Sequence, residues 1–551
     1  MDKSEQNKRT LIHKKFLSQS LLWLSFAICS FCLMCIYLAI KTQPIYIIVL
    51  VEIFMAFIIW NKVYQVLYDI KLFNFNSDYD CKLDFNKEKK LPTITFIIPS
   101  YKEPFGVAKM TFDSVVNCPY NGKKEIIVVD NSPETLSEDF INWKNYINNF
   151  ETHFPDGNIT AKFLYNKEKG TLKPGNLDLA VRNIEEGELV VILDVDSTLP
   201  EDKELLQRAV EEFEADSKLG FLQFRIKSTN NHFNDLTQAI GAYQDLMRLR
   251  MTSRGYGGYK VFEGHNGMLR KDVLDQIGGW TDYHNGHIMI TEDIIKSVEI
   301  YDKGYYGKSL NIETGEWIPS SLKALESMWV RWNYGTSQVL FKYFRKIYSQ
   351  KTTLIEKADI TFHILSHIAM GLFYPVVLLF QLFFQGWATN IFVLFVFFGP
   401  QIIGALVSYF KFQKQQNVSF FNKIKYLYFG FFFIEVFIIA TQLKSSFNYI
   451  FSIPQGWEVT EKGIEKKVPK KDFVRNKLFY ILFGFVPIAV CIISWIINYD
   501  MKYEAIIYHI LLLFVSFNFI LGLSSYLSQG RKEHNKIEFA DINNVLSVSN
   551  L

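Results

Sequence analysis

The chain has 551 residues, 59 Lys and Arg against 56 Asp and Glu, a formal net charge of +3, 49% hydrophobic residues and 50 Phe. So even a balance, with the basic residues gathered beside apolar segments, excludes a nucleic-acid-binding role and makes anionic lipid headgroups the natural partner. The apolar excess is concentrated in segments too apolar for a soluble core, so a single globular domain does not describe the chain.

Residues 16–40 and 45–68 are each long enough to cross a hydrocarbon core of ~30 Å as a helix, and together they form a hairpin. Further spans are predicted at 361–384, 389–410, 478–498 and 503–527, whereas 69–360 contains no comparable run. A signal peptide fits the N-terminus poorly, because the apolar stretch is long and a second one follows at once. Lys3, Lys8, Arg9, Lys14 and Lys15 put the N-terminus in the cytoplasm, and the hairpin returns 69–360 to the same side. The loop at 411–425 and the segment at 462–477 are both basic and both read as cytoplasmic. The stretch between them, with Glu435 inside its short apolar core, therefore reads as an interfacial or re-entrant helix, giving six crossings with a seventh as the alternative. Cys29, Cys32 and Cys35 share a helical face without His partners, and Cys81, Cys118 and Cys491 are scattered, which indicates neither a metal site nor a disulfide framework.

Between the spans, 93–101, 124–132, 161–166 and 188–196 are short Ile- and Val-rich runs, and stretches such as 106–118 and 175–187 between them have helical periodicity. That alternation predicts a parallel sheet covered on both faces, with its ligand site beyond the carboxyl ends of the strands. Asp194 and Asp196 stand there two residues apart, which on a strand puts both side chains on one side. Two such carboxylates suit a hard divalent cation bridging phosphates, although an isolated Asp-x-Asp more often starts a solvated loop. Asp130 also ends a strand and could accept hydrogen bonds from a base or ribose. Lys173 and Gly175 open a helix where a cation and free amides could meet an anionic nucleotide. Thr291, Glu292 and Asp293 precede another helix, with Thr291 as a candidate N-cap. Trp329, Arg331 and Trp332 fall in the amphipathic stretch 319–348, where an interfacial aromatic belt explains the tryptophans equally well.

Taken in this order, the motifs resemble the processive membrane-integrated family 2 glycosyltransferases, which include cellulose, chitin and hyaluronan synthases. The resemblance covers nearly the whole chain and implies an α-helical membrane protein with an inserted cytoplasmic α/β GT-A domain on a mixed, mostly parallel sheet. It divides the chain into a basic segment and hairpin (1–70), the GT-A domain (71–318), interfacial helices (319–360), a hairpin (361–410), an interfacial helix with a gating loop (411–477), a hairpin (478–527) and a cytoplasmic tail (528–551). By resemblance Asp130 contacts the uridine, Lys173 and Gly175 belong to the lysine-glycine motif, and Asp194 and Asp196 hold Mg²⁺ or Mn²⁺ and the diphosphate of a UDP-sugar. Asp293 in the Thr291-Glu292-Asp293 motif is the catalytic base, Arg331 meets the diphosphate, and Trp332 stacks on the acceptor sugar. Glu263, Gly264 and His265 resemble the acceptor-side F-F-C-G-S stretch, and Trp457, Val459, Thr460 and Lys462 resemble the F-x-V-T-x-K gating loop.

There are departures. Met328 stands where the family has the Gln of Q-x-x-R-W, and Trp457 replaces Phe. The implied activity is processive, inverting transfer from a UDP-sugar, most simply UDP-glucose, into a β-linked capsular or exopolysaccharide exported through the chain's own channel. The growing polymer and membrane lipids are the other implied partners, a homo-oligomer is left open, and a bacterial plasma membrane is the implied location. The short tail leaves no room for a cyclic-nucleotide-binding domain. The alternatives are a hyaluronan- or chitin-type synthase using UDP-GlcNAc with or without UDP-GlcA, a non-processive polyprenyl-phosphate glycosyltransferase, and a silent transporter or scaffold.

Overall fold

A computed structural model describes residues 91–383, 419–453, 470–497 and 503–529 apart from short gaps at 134, 136, 151–156, 169, 202–203 and 255–257, together with 27–34 and scattered positions as far as 63. The chain first lays down β1 (Ile94–Ser100), α1 (Phe105–Asn117), β2 (Lys124–Asp130), α2 (Glu138–Asn148), β3 (Ile159–Tyr165), α3 (Leu172–Arg182), β4 (Leu189–Ile192) and β5 (Ser197–Thr198). There follow α4 (Leu205–Ala215), β6 (Leu219–Ser228), α5 (Asp235–Arg254), β7 (Gly267–Arg270), α6 (Lys271–Gln276), the short hairpin β8 (Tyr283–His284) and β9 (His287–Ile288), α7 (Glu292–Asp302) and β10 (Tyr306–Glu316).

Eight of these strands form one sheet in the order β3-β2-β1-β4-β7-β6-β10-β5. β1, β2, β3 and β4 run parallel, β7 is antiparallel to both β4 and β6, β10 is parallel to β6, and β5 is antiparallel to β10. Every residue of β1 and β2 is buried, as near-continuous apolar strands require when helices cover both faces. Alternate residues serve opposite layers: Ile94, Phe96 and Ile98 pack with Phe112 and Trp143, and Ile97 packs with Ile127, Val129 and Leu177. Each such side chain withdrawn from water contributes roughly 2 kcal/mol, which makes this sheet a rigid platform for whatever its edge carries.

The strand expected at 188–196 is shorter. β4 stops at Ile192, and Asp194, Val195 and Asp196 form a turn closed by Ser197 N–H donating to the Asp194 carbonyl at 2.9 Å before β5 begins. Asp194 and Asp196 are therefore brought together by a turn and not by the strand pleat, because the chain must reverse to pair β5 with β10.

Beyond the sheet, α8 (Leu322–Ser349) and α9 (Leu354–Phe383) follow. Next come α10 (Phe420–Phe429), a π-helical stretch (Gly430–Ile434) and α11 (Glu435–Ile450), which make one continuous helix, and then α12 (Lys470–Ile497) and α13 (Tyr503–Gln529). By length and composition two described helices could cross a membrane, Ile424–Ile450 and Lys477–Ile496. The first is the stretch read from sequence as interfacial or re-entrant. Its Glu435 is buried, and the helix packs Phe433, Phe437 and Ile439 against Leu325 and Trp329 of α8 and Tyr480 of α12. The proposed span at 389–410, most of the first hairpin, the gating loop and the tail lie outside the described residues.

Candidate active site

A cavity of about 530 Å³ opens at the carboxyl edge of the sheet and extends to the helices behind it. The ends of the parallel strands are tied together by Asn176 on α3, whose Nδ2 lies 3.3 Å from the Ser100 carbonyl, 3.4 Å from that of Val129 and 3.2 Å from Asn131 Oδ1. Its Oδ1 accepts from Asn166 Nδ2 at 3.0 Å, so one buried amide fixes the rim where three strands finish.

Lys173, Asp194, Asp196, Glu263, Gly264, His265, Thr291, Glu292, Asp293, Arg331 and Trp332, all named from sequence, line this cavity together. Asp130 and Gly175 do not. Asp130 is buried at the end of β2 and accepts from the Ser132 N–H at 2.7 Å, so its neighbours Ser100, Asn131 and Pro133 form the wall there. Burial raises its pKa against the hydrogen bonds from Ser132 and Ser100. Gly175 lies in the first turns of α3, where a Cβ would come 2.1 Å from Thr171 Oγ1, so its part is to pack the start of that helix. Trp457, Val459, Thr460 and Lys462 lie outside the described residues.

Lys173 is the hub of the polar wall. Its Nζ lies 2.6 Å from Asp194 Oδ1, 3.1 Å from the Gly264 carbonyl and 3.8 Å from Glu292 Oε1. Burial works against this ammonium, but Asp194 and Glu292 outweigh it and hold its pKa above the usual lysine value. Glu292 and Asp293 occupy the first turn of α7, where carboxylates are favoured by the helix dipole, and Asp293 Oδ1 accepts from the Ile294 N–H at 2.8 Å. Burial, reinforced by the neighbouring charge of Glu292, nonetheless pushes the Asp293 carboxyl up to about 7. Burial also raises Glu292, against Lys173 and Arg331. A carboxyl poised near neutrality at a cavity wall has the property required of a general base. Thr291 is N-terminal to α7 as expected but makes no side-chain cap, and its Oγ1 is buried with no hydrogen-bond partner among the described residues.

Glu263 is held by the buried ammonium of Lys260 at 2.6 Å. His265 Nε2 lies 3.7 Å from Glu316 Oε2.

Sequence reasoning missed Glu316. It ends β10, lines the cavity, pairs with Arg248 of α5, and is raised by burial with Asp196 and Asp194 adding to the effect against Arg248 and His265. A carboxylate closing a strand is the signal that flagged Asp130, and it was present here too.

Among the described residues no three His, Cys, Asp or Glu side chains converge as a metal centre. Asp194 and Asp196 still fit a hard cation of the Mg²⁺ kind, which takes one or two carboxylates and completes its shell with water and substrate phosphate.

A mixed, mostly parallel sheet with paired aspartates in the turn after a central strand and a carboxylate-lined cavity at its carboxyl edge defines a GT-A-like domain. Residues 95–278 match the glycosyl transferase family 2 model, and residues 189–409 match that of glycosyl transferase family group 2. A probable glycosyltransferase of Sulfolobus acidocaldarius is 22% identical over 306 residues, covering 55% of this chain and 62% of that protein. A probable glucomannan 4-beta-mannosyltransferase 6 of Oryza sativa subsp. japonica is 25% identical over 299 residues, covering 50% of each. The chain thus spans between half and two thirds of these curated relatives. Among solved structures, the mannosyltransferase PcManGT from Pyrobaculum calidifontis, in complex with GDP-Man and Mn²⁺, superposes with a TM-score of 0.49 at 17% identity, covering 73% of this chain and 99% of that one.

Proposed function

We propose that the protein is an inverting, nucleotide-sugar-dependent β-glycosyltransferase that polymerises a hexose and exports the product through its own membrane helices. The observation that carries this reading is the convergence of Lys173, Asp194, Asp196, Asp293, Arg331 and Trp332, from four separate segments, on one cavity. Asp194 and Asp196 would hold a divalent cation, which when bound neutralises negative charge on the leaving diphosphate. Lys173 and Arg331 supply fixed positive charge beside that group. Asp293 takes the proton from the acceptor hydroxyl, whose oxygen bonds to the anomeric carbon as the bond to diphosphate breaks, a general-base contribution of roughly 10² to 10⁴ in rate. One displacement inverts the anomeric centre, so an α-linked donor gives a β-linked product. Trp332 offers its face to the acceptor ring, and Asp130 and Gly175 act indirectly, holding the rim and the start of α3. Trp457, Val459, Thr460 and Lys462 would close over the nucleotide.

Multi-pass membrane integration, with the GT-A-like domain on the cytoplasmic side, rests on the apolar segments and their basic flanks. UDP-glucose is the first donor to test. GDP-mannose is the second, because the rice relative is named a probable glucomannan mannosyltransferase.

The test is nucleotide release by the detergent-purified chain against UDP- and GDP-sugars with Mg²⁺ or Mn²⁺, then digestion of any polymer by linkage-specific hydrolases. High-molecular-weight product from a single donor supports a homopolymer synthase. Turnover only with a lipid phosphate would replace that reading by the polyprenyl-phosphate enzyme, and a need for two donors would replace it by a heteropolymer synthase.

A further inference from the structure

Behind Trp332 the cavity continues into a wall built by α5, α8 and α9, where Gln244, Met328, Trp329 and His367 line it. Three polar atoms there, Gln244 Oε1, Trp329 Nε1 and His367 Nδ1, are buried and have no hydrogen-bond partner among the described residues. Gln244 is 3% exposed and Trp329 2%, so both side chains are committed to the interior. Gln244 reaches across from α5 until its Nε2 is 3.9 Å from Met328 Sδ, beside the Trp329–Trp332 pair. The Trp329 ring lies 5.1 Å from that of Trp332 and 5.8 Å from that of His367, centroid to centroid.

A buried polar atom left unpaired costs about 1 to 3 kcal/mol, and native interiors rarely tolerate one without a reason. The three residues that carry them, with an acceptor, a donor and an imidazole nitrogen that serves as either, all line one cavity also lined by Trp332. Hydroxyl groups, which donate and accept, on a ring with apolar C–H faces are the ligand chemistry that satisfies all of them at once. Gln244, Met328 and Trp329 are uncharged, which suits a neutral sugar over an acidic one.

We propose that Gln244, Trp329 and His367 form a second acceptor subsite that takes a neutral pyranose ring, the penultimate sugar of the acceptor, beyond the ring held by Trp332. The assignment rests on the glycosyltransferase reading above for the word acceptor, but the binding of a neutral disaccharide does not require turnover. Gln244 thereby supplies an amide beside Met328, on a helix distant in sequence from Trp332.

The test is an equilibrium titration of the full-length detergent-solubilised protein, read by intrinsic tryptophan fluorescence, with cellobiose and β-1,4-mannobiose against glucose and mannose. At least one disaccharide is expected to bind tenfold or more tighter than its monosaccharide. Gln244→Leu and Trp329→Phe, the second keeping an aromatic ring but losing the N–H, are each expected to erase most of that difference. UDP and GDP affinity serves as the control for folding. Equal affinity for mono- and disaccharide, no saturable binding of either disaccharide, or variants that bind disaccharide as the parent does would each overturn the subsite, the last showing that water alone satisfies these atoms. Loss of nucleotide binding in the parent protein would instead overturn the glycosyltransferase reading and leave the sugar result to stand by itself.

Discussion

Lys173 Nζ lies 2.6 Å from Asp194 Oδ1, so one ammonium joins the paired aspartates to the Glu292–Asp293 end of the cavity. It is among the groups that lower the pKa of Asp293 against burial and Glu292. Lys173→Met removes that opposition, so the acid limb of the pH–rate profile should move to higher pH. The KM for donor should rise in the same variant, because a fixed positive charge beside the diphosphate is lost. An unmoved limb would show that Lys173 does not reach Asp293 electrostatically.

Asp293, pushed up to about 7, supplies a second expectation. A base must be deprotonated to accept a proton, and a raised carboxyl is protonated below its pKa. Acceptor-dependent turnover should therefore fall about tenfold per unit below neutrality, to roughly a hundredth of its plateau near pH 5. Asp293→Asn should abolish this dependence along with most of the transfer, by about 10² to 10⁴, while nucleotide binding persists. Sustained synthesis by that variant would remove the base assignment.

How much of this was legible in the sequence depends on whether the signal is local. β1 and β2 announce themselves as unbroken Ile and Val runs because both their faces are buried, and Asp194, Asp196 and Asp293 stand in short motifs. The end of β4 was misplaced by several residues, because the reversal at 193–196 is dictated by a strand pairing more than a hundred residues away, Glu316 with Ser197. Glu316 and Gln244 reach the cavity only through tertiary pairing, one at the end of a long strand and the other on α5, whose sequence carries no motif. Asp130, assigned by resemblance to the nucleotide, ends β2 with its carboxylate accepting from the Ser132 N–H, a contact between near neighbours that the motif alone does not announce.

Gly264 sits at φ +84°, and a Cβ added there would come 3.2 Å from Asp293 Oδ2. Gly264→Ala therefore meets a backbone cost of roughly 1 to 2 kcal/mol for the left-handed conformation and a crowded carboxylate. The expected result is a modest drop in thermal stability together with a larger drop in kcat, and the two measurements separate the effects. Loss of stability with an unchanged kcat would mean that Asp293 moves aside without consequence.

Glu326 of α8 accepts from Lys444 of α11 at 2.7 Å and from Lys477 of α12 at 2.6 Å, so one carboxylate pins the two helices that border the stretch containing Trp457 and Lys462. Burial would raise this carboxyl, but Lys477 and Lys444 outweigh burial and hold it below the usual glutamate range. A lowered carboxylate stabilises the fold above its unfolded pKa of about 4.3 and loses that contribution as the pH falls through the folded value. Glu326→Gln leaves Lys477, 7% exposed, buried without its counter-charge, whereas Lys444 is open enough to be screened by solvent. The expected cost is about 3 kcal/mol, seen as a lower midpoint for thermal unfolding in detergent and as a flatter loss of stability on acidification than in the parent. An unchanged midpoint at neutral pH would show that the helices are held by their apolar contacts alone and that the clamp contributes nothing to their docking.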